Sequence, residues 1–321
     1  MRRRNFFQAA GLSLASPLLL DTCKADSPMG KKPAFRLDIG RPLPDPFCIR
    51  HEGRYYLTGT HSTGYNRTSD SLFDLYRSAD LHTWEPVGRI LKFPEYEGCR
   101  EANYWAPEIL VHDNHFYLYY TSDSFGDPYR RHVRVAVGNR IEGPYVDSGR
   151  KLVQQPSIDG HPVFVSSGEG WLFYTGNEGN EYEAQMIVDR LVSPTELAGE
   201  PRKVFPEETV TWEEGGFTAG HGDGFYLFTS MGNWRDGTYH VLVARADRLP
   251  GPFVRLTKDG GPLKLLETKG EQSGPGHNSV FDTEDGTLYI CYHAWDKGRT
   301  GRYPWAAPIY WEQGLPVVRQ L

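Results

Sequence analysis

An all-β fold, a five-bladed β-propeller, is what the sequence predicts, and two observations predict it. Beyond the first residues there is no long apolar run at helical spacing; short β-branched and aromatic runs are cut by Gly, Asp and Asn instead. A hairpin signal also recurs five times, as "HEGRYYLTGT", "HDNHFYLYYTS", "SGEGWLFYTG", "HGDGFYLFTS" and "TEDGTLYICYH". In each, a turn rich in Gly, Asp or Asn precedes a strand of alternating aromatic and aliphatic residues. Taking Tyr56, Tyr117, Leu172, Tyr226 and Tyr289 as equivalent markers gives intervals of 61, 55, 54 and 63 residues. One interval suits a four-stranded antiparallel sheet with its loops, and five such sheets around an axis leave only short, protected edges. A β-sandwich is the alternative, but neither the fivefold count nor the even spacing would follow from it.

The elements can be justified in order along the chain. The opening "MRRRNFFQAAGLSLASPLLLDTC" is basic and then apolar, too short and interrupted to span a bilayer permanently, and reads as an export signal. Arg3-Arg4-Asn5-Phe6-Phe7 resembles a bacterial twin-arginine signal, an ordinary secretory signal with extra arginines being the alternative. Cys23 follows Leu20-Asp21-Thr22, a poor lipobox, so a lipid anchor there is an open expectation beside a free periplasmic or extracellular protein. Residues 1–30 are assigned to signal and linker, and residues 31–321 to a single propeller domain. Cys48, Cys99 and Cys291 remain, an odd number that implies no disulfide framework. Later in several units "LYRSADLHTWEPV", "VRVAVGNRIEGPYV" and "HVLVARADRLPGPFV" read as strand, polar turn, strand. The C-terminal run "APIYWEQGLPVV" is expected to complete the last blade.

Composition narrows the partners. There are 19 Tyr and 8 Trp against a formal net charge of only -6, and no basic tract is interleaved with aromatics. That excludes electrostatic support for a nucleic acid partner and suits a neutral, hydroxyl-rich ligand such as a carbohydrate.

The polar residues ahead of the marker hairpins form a set. Asp45 stands 11 before Tyr56, Glu108 stands 9 before Tyr117, Asp159 stands 13 before Leu172, Glu214 stands 12 before Tyr226, and His277 stands 12 before Tyr289. The first strand of each propeller blade lines the channel, so all five converge on one funnel. Pro46 biases Asp45 toward an extended conformation at the mouth of its strand. Carboxylates brought together raise one another's pKa, and glycoside hydrolysis uses that: one must be ionised to activate water, another protonated to give the leaving oxygen its proton.

"LPDPFCIRHEGRYYLTGT", "YWAPEILVHDNHFYLYYTS", "SIDGHPVFVSSGEGWLFYTG", "WEEGGFTAGHGDGFYLFTS", "GPGHNSVF" and "CYHAW", in this order, resemble glycoside hydrolase family 43 from about Leu43 to the C-terminus. The resemblance implies a five-bladed propeller and an inverting glycosidase acting on arabinose- or xylose-containing plant polysaccharides or their fragments. It makes Asp45 the general base, Asp159 the residue that orients the acid and tunes its pKa, and Glu214 the general acid. The chain reads Glu214-Gly215-Gly216 where the family commonly has Glu-Gly-Pro, and Glu213 stands beside Glu214; strand alternation sends the two to opposite faces. The resemblance places His277 deep in the channel near a hydrated cation, usually calcium, or near the sugar; no organic cofactor is implied. Trp105 is a candidate sugar-stacking platform, Glu108 a hydrogen-bonding residue behind the site, and Arg302 a channel arginine for a substrate hydroxyl. Alternatives are a five-bladed glycosidase family acting on other sugars, and a carbohydrate-binding propeller without catalysis. The segments "THSTGYNRTSDSLFD" and "FPEYEGCREANY" are long enough to close one end of the channel, which favours cleavage from chain ends.

Overall fold

The computed structural model describes residues 30–60, 71–92, 103–124, 127–208 and 211–321. Each hairpin signal folds as the turn between the first and second strands of a sheet, and every marker residue lies in a second strand. Blade I comprises Phe47–His51, Arg54–Thr58, Ser71–Ser78 and Trp84–Lys92. Blade II comprises Trp105–His112, His115–Ser124, Asp127–Gly138 and Tyr145–Asp147, and is tied to blade I where Leu91 and Lys92 pair in parallel with Tyr145 and Val146. Blade III is built on Ser157–Phe164, Gly170–Gly176 and Met186–Ser193, with two short outer strands, Glu196–Leu197 and Arg202–Lys203. Blade IV repeats this with Glu213–His221, Gly224–Met231 and His240–Ala246, edged by Val254–Arg255 and Lys264–Leu266. Blade V comprises Ser273–Asp282, Leu288–Trp295, Arg302–Pro308 and, as its outermost strand, Phe35–Arg36. The first strands pack side by side in the order I, II, III, IV, V and back to I, which closes the ring.

The last blade differs from the sequence reading. Of the C-terminal run, only Ala307 and Pro308 lie in a blade V strand; the rest folds on itself, Tyr310–Glu312 pairing with Leu315–Val317. The turn Gln313-Gly314 has positive φ at both residues, the geometry that lets a tight hairpin match strand twist. The open edge is taken by the N-terminal side, Phe35 opposite Ala306 and Arg36 opposite Trp305, with Ala34 and Leu37 buried beside it.

Interleaved aromatic and aliphatic side chains pack blade against blade. Cys48, Leu57, Phe281 and Cys291 fill the space between blades V and I; Tyr119, Val133, Leu172 and Ile187 that between II and III; Phe173, Met186, Leu227 and Phe253 that between III and IV. Each fully buried side chain of this kind contributes about 2 kcal/mol. Cys48 and Cys291 are free thiols; Cys23 and Cys99 lie outside the described residues, as do residues 61–70 and 93–102 of the two segments expected to close the channel. Among the described residues no helix is long and apolar enough to cross a membrane.

Candidate active site

The channel end of every blade carries one residue in left-handed backbone: Asp45 (φ 52), Ala106 (φ 43), Asp159 (φ 57), Gly215 (φ 59) and His277 (φ 47). Four are not glycine, and holding such a residue there costs on the order of 1–3 kcal/mol. In blades II to V the pairing with the second strand slips at this point, so the strand bulges. A polar side chain from the preceding blade's second strand, or just beyond it, holds three of these N–H groups: Ala106 donates to Thr60 Oγ1 (2.9 Å), Asp159 to Thr121 Oγ1 (2.9 Å) and His277 to Ser230 Oγ (2.8 Å). Across the seam between blades V and I the acceptor is an imidazole, His293 Nδ1, which takes the Asp45 N–H at 3.1 Å.

Asp45 is surrounded by donors. Thr60 Oγ1 donates to Oδ2 at 2.5 Å, Arg302 Nη1 to Oδ1 at 3.2 Å, and His277 Nδ1 stands 3.5 Å from Oδ1. Burial alone would raise its pKa, but Arg302 foremost, then His277 and His293, hold the carboxyl well below the usual carboxylate range. His293 is pushed down to about 4, by burial and then by Arg302, so it is neutral near pH 7, and the permanent cation on Asp45 is Arg302. Burial disfavours the charged form of His277, yet Asp45, Asp159 and Glu214 together raise its pKa above the ordinary value. The Asp45, His277 and Arg302 side chains keep 12%, 11% and 14% of their surface exposed, so they are reachable from the funnel.

Asp159 has the same backbone and the opposite charge state. Its Oδ2 lies 3.9 Å from His277 Nδ1. Burial first, then Glu214, Asp45 and Glu108, push it up to about 8 against the pull of His277, so at neutral pH it holds a proton.

The adjacent glutamates part company. Glu213 is buried and forked onto Arg255, 2.7 Å to Nη1 and 2.8 Å to Nη2, while Arg255 also holds Glu208. Glu214 takes two hydrogen bonds instead, from Trp212 Nε1–H at 2.5 Å and Tyr239 O–H at 2.7 Å. Gly215 is required after it, whereas Gly216 leaves room for the flexible end of Met186. A Cβ on Gly215 would lie 3.2 Å from the His277 ring as well as in left-handed backbone, and one on Gly216 would lie 2.3 Å from Met186 Cε.

The remaining expected residues sit as follows. Glu108 accepts His161 Nδ1–H at 2.8 Å, and His161 Nε2 accepts the Thr218 N–H at 3.1 Å, so Glu108 is tied into a network between first strands. Trp105 carries the Arg131 guanidinium 4.3 Å from its ring centre, which makes it a cation platform in this structure. Arg302 reaches the carboxylate of Asp45 and lies over Trp234 at 4.4 Å. His277 offers one imidazole nitrogen between two carboxylates, and no group of three or more His, Cys, Asp or Glu among the described residues is arranged for a metal. A calcium ion beside His277 would take most of its six to eight oxygen ligands from water.

Sequence reasoning missed Thr60, His161, Trp212, Tyr239, Trp234 and a role for His293. Two had local signals: His161 follows Asp159 by two on the same strand, and His293 replaces the hydroxyl residue that ends the equivalent hairpins. The rest arrive from loops or neighbouring blades.

Comparison with known proteins identifies the family and the fold. The family model for "Glycosyl hydrolases family 43" matches residues 39–316. A beta-D-galactofuranosidase of Aspergillus niger is 27% identical over 78% of this chain and 73% of its own. An extracellular exo-alpha-(1->5)-L-arabinofuranosidase of Cellvibrio japonicus is 27% identical over 78% of each. Among solved structures, a thermostable family-43 glycoside hydrolase superimposes with a TM-score of 0.74 at 25% identity, covering 87% of this chain and 93% of the other. The native arabinanase of Bacillus subtilis gives 0.68 at 21% identity over 87% and 98%.

Proposed function

The chain belongs to glycosyl hydrolases family 43 and is an O-glycosyl hydrolase, and from that premise we propose that it is an inverting hydrolase of α-L-arabinofuranosyl linkages in plant polysaccharides or their fragments. The single observation that carries the mechanism is geometric: in one funnel Asp45 has the Arg302 guanidinium on its carboxylate at 3.2 Å, whereas Asp159 has only His277 at 3.9 Å. Asp45 takes a proton from water as it attacks the anomeric carbon. Glu214, fixed by Trp212 and Tyr239, gives a proton to the departing oxygen. Asp159, whose own proton affinity Glu214 helps to raise, is the residue that orients the acid. The two reacting carboxyls stand on blades I and IV with blade V between them; inversion needs them about 6.5–9.5 Å apart, with room for the water. His277 and Arg302 balance the charge of Asp45; no step is routed through a metal.

The names of the relatives support a five-membered sugar ring, arabinofuranose in several and galactofuranose in one. The export reading of residues 1–30 finds support in relatives named extracellular. The test is sugar release by the mature protein from the nitrophenyl glycosides of α-L-arabinofuranose, β-D-xylose and β-D-galactofuranose, and from linear arabinan and galactan. Proton NMR reads the first-formed anomer. Turnover of an arabinofuranoside with inversion, reduced at least about 10³-fold in Glu214→Gln, is expected. Retention would sink the mechanism, and turnover of the galactofuranoside alone would change the sugar.

A further inference from the structure

The carboxylate of Asp45 is held by Arg302, and Arg302 is held in turn by a side chain outside the set named for the reaction. Trp234 lies in the loop 232–239 between the second and third strands of blade IV. The Arg302 guanidinium is 4.4 Å from the centre of its indole, within range of a cation–π contact, and reaches Asp45 Oδ1 with Nη1 at 3.2 Å. The loop is fixed from blade V. Trp295 Nε1–H donates to the Trp234 carbonyl at 2.7 Å, and Arg299 donates to the Arg235 carbonyl. Asn233 N–H donates to Thr238 Oγ1 at 3.1 Å within the loop itself. An arginine has many rotamers, and a fixed aromatic face removes most of them.

We propose that Trp234 is a positioning residue for the general base: its indole holds the Arg302 guanidinium against Asp45. The proposal rests on the reading of Asp45 as base. The groups that face Asp45 are Arg302, His277, His293 and the Thr60 hydroxyl, with Asp159, Glu214 and Glu108 acting on His277. Arg235 lies 5.0 Å from the Trp234 ring, and Arg299 lies 5.1 Å from that of Trp295. Of these, only Arg302 combines a permanent charge with direct contact to the carboxylate. Loosening it raises the proton affinity of Asp45, so the acid limb of the rate profile moves to higher pH.

The experiment measures kcat and KM from acid to alkaline pH, with the nitrophenyl glycoside that proves active, for wild type, Trp234→Leu, Trp234→Phe, Arg302→Ala and the Trp234→Leu/Arg302→Ala double variant. Trp234→Leu is expected to lower kcat/KM about three- to thirtyfold, mainly through kcat, with the acid limb displaced upward. Trp234→Phe, which keeps an aromatic face, should recover most of the loss. In the Arg302→Ala background Trp234→Leu should cost nothing more, because the residue acts through the arginine. A rise in KM with kcat and acid limb unchanged would make Trp234 a sugar platform and overturn the proposal, as would an unaltered profile or additive losses in the double variant. If Trp234→Leu does not fold, Trp234→Met decides: it keeps bulk but removes the aromatic face, and an unmoved acid limb there overturns the idea. Asp45→Asn serves as a separate control, since turnover retained there would remove the base assignment whatever Trp234 does.

Discussion

The seam between blades V and I and the junction of blades II and III each present an aspartate in left-handed backbone, Asp45 at φ 52 and Asp159 at φ 57. Each donates its N–H to a side chain of the preceding blade. Residue type, backbone and position in the ring are alike, yet one carboxyl is held ionised and the other is pushed to about 8. The difference lies in what the neighbouring elements bring. The third strand of blade V supplies Arg302 directly to Asp45, while Asp159 meets only the more distant His277 and is crowded by other acids. Fivefold architecture sets where a carboxyl points; departures from that symmetry set its charge.

The largest test of this contrast is replacement by asparagine. Asp45→Asn removes the ionised form and is expected to lower kcat/KM by about 10³-fold or more, with a retained cooperative unfolding transition as the control for fold. Asp159→Asn resembles the neutral acid already present, so a smaller loss, about ten- to a hundredfold, should appear in the same assay. Equal losses would break the distinction.

Stability should separate the two next. Below roughly pH 4, the ordinary aspartate value, both folded and unfolded chains hold the Asp159 proton; from there to about 8 only the folded chain does. The unfolded state therefore binds fewer protons across that window, and the contribution of Asp159 to stability falls as pH rises. Asp45 runs the other way, its contribution being present above the ordinary value and lost as pH falls through the depressed one. Thermal unfolding from pH 4 to 8 should show Asp159→Asn gaining on wild type as pH rises; a constant offset would mean the carboxyl is ionised after all.

The smallest effects come from the hydroxyls. Thr60 touches the Asp45 carboxylate itself, whereas Thr121 touches only the Asp159 backbone. Thr60→Val should cost about tenfold in kcat/KM and move the acid limb upward. Thr121→Val should cost about 1 kcal/mol of stability and leave the pH profile where it was. Denaturant unfolding beside the rate profile checks both.

Much of the frame was legible because it repeats. The five hairpins share turn chemistry, and counting back from Tyr56, Tyr117, Leu172, Tyr226 and Tyr289 finds the first strands that line the axis. What did not repeat was hidden. Phe35–Arg36 is too short to show a period, so blade V was given the wrong closing strand. The extended backbone that Pro46 predicts for Asp45 gives way to left-handed backbone, and neither there nor at Ala106 does a glycine announce it. Trp212 and Tyr239 reach Glu214 from outside its strand, and Arg302 reaches Asp45 from 257 residues away, so no local window contains either contact.

That last separation has a bearing on synthesis. The base arrives in the first blade, but the arginine, the imidazole of His293 and the partner strand of Phe35–Arg36 all belong to the last. A ribosome that has made four blades holds a chain with Asp45 and Glu214 in place and neither the charge environment nor the ring that would bring them to work together. The charge environment of Asp45 and the closure of the ring thus both depend on blade V.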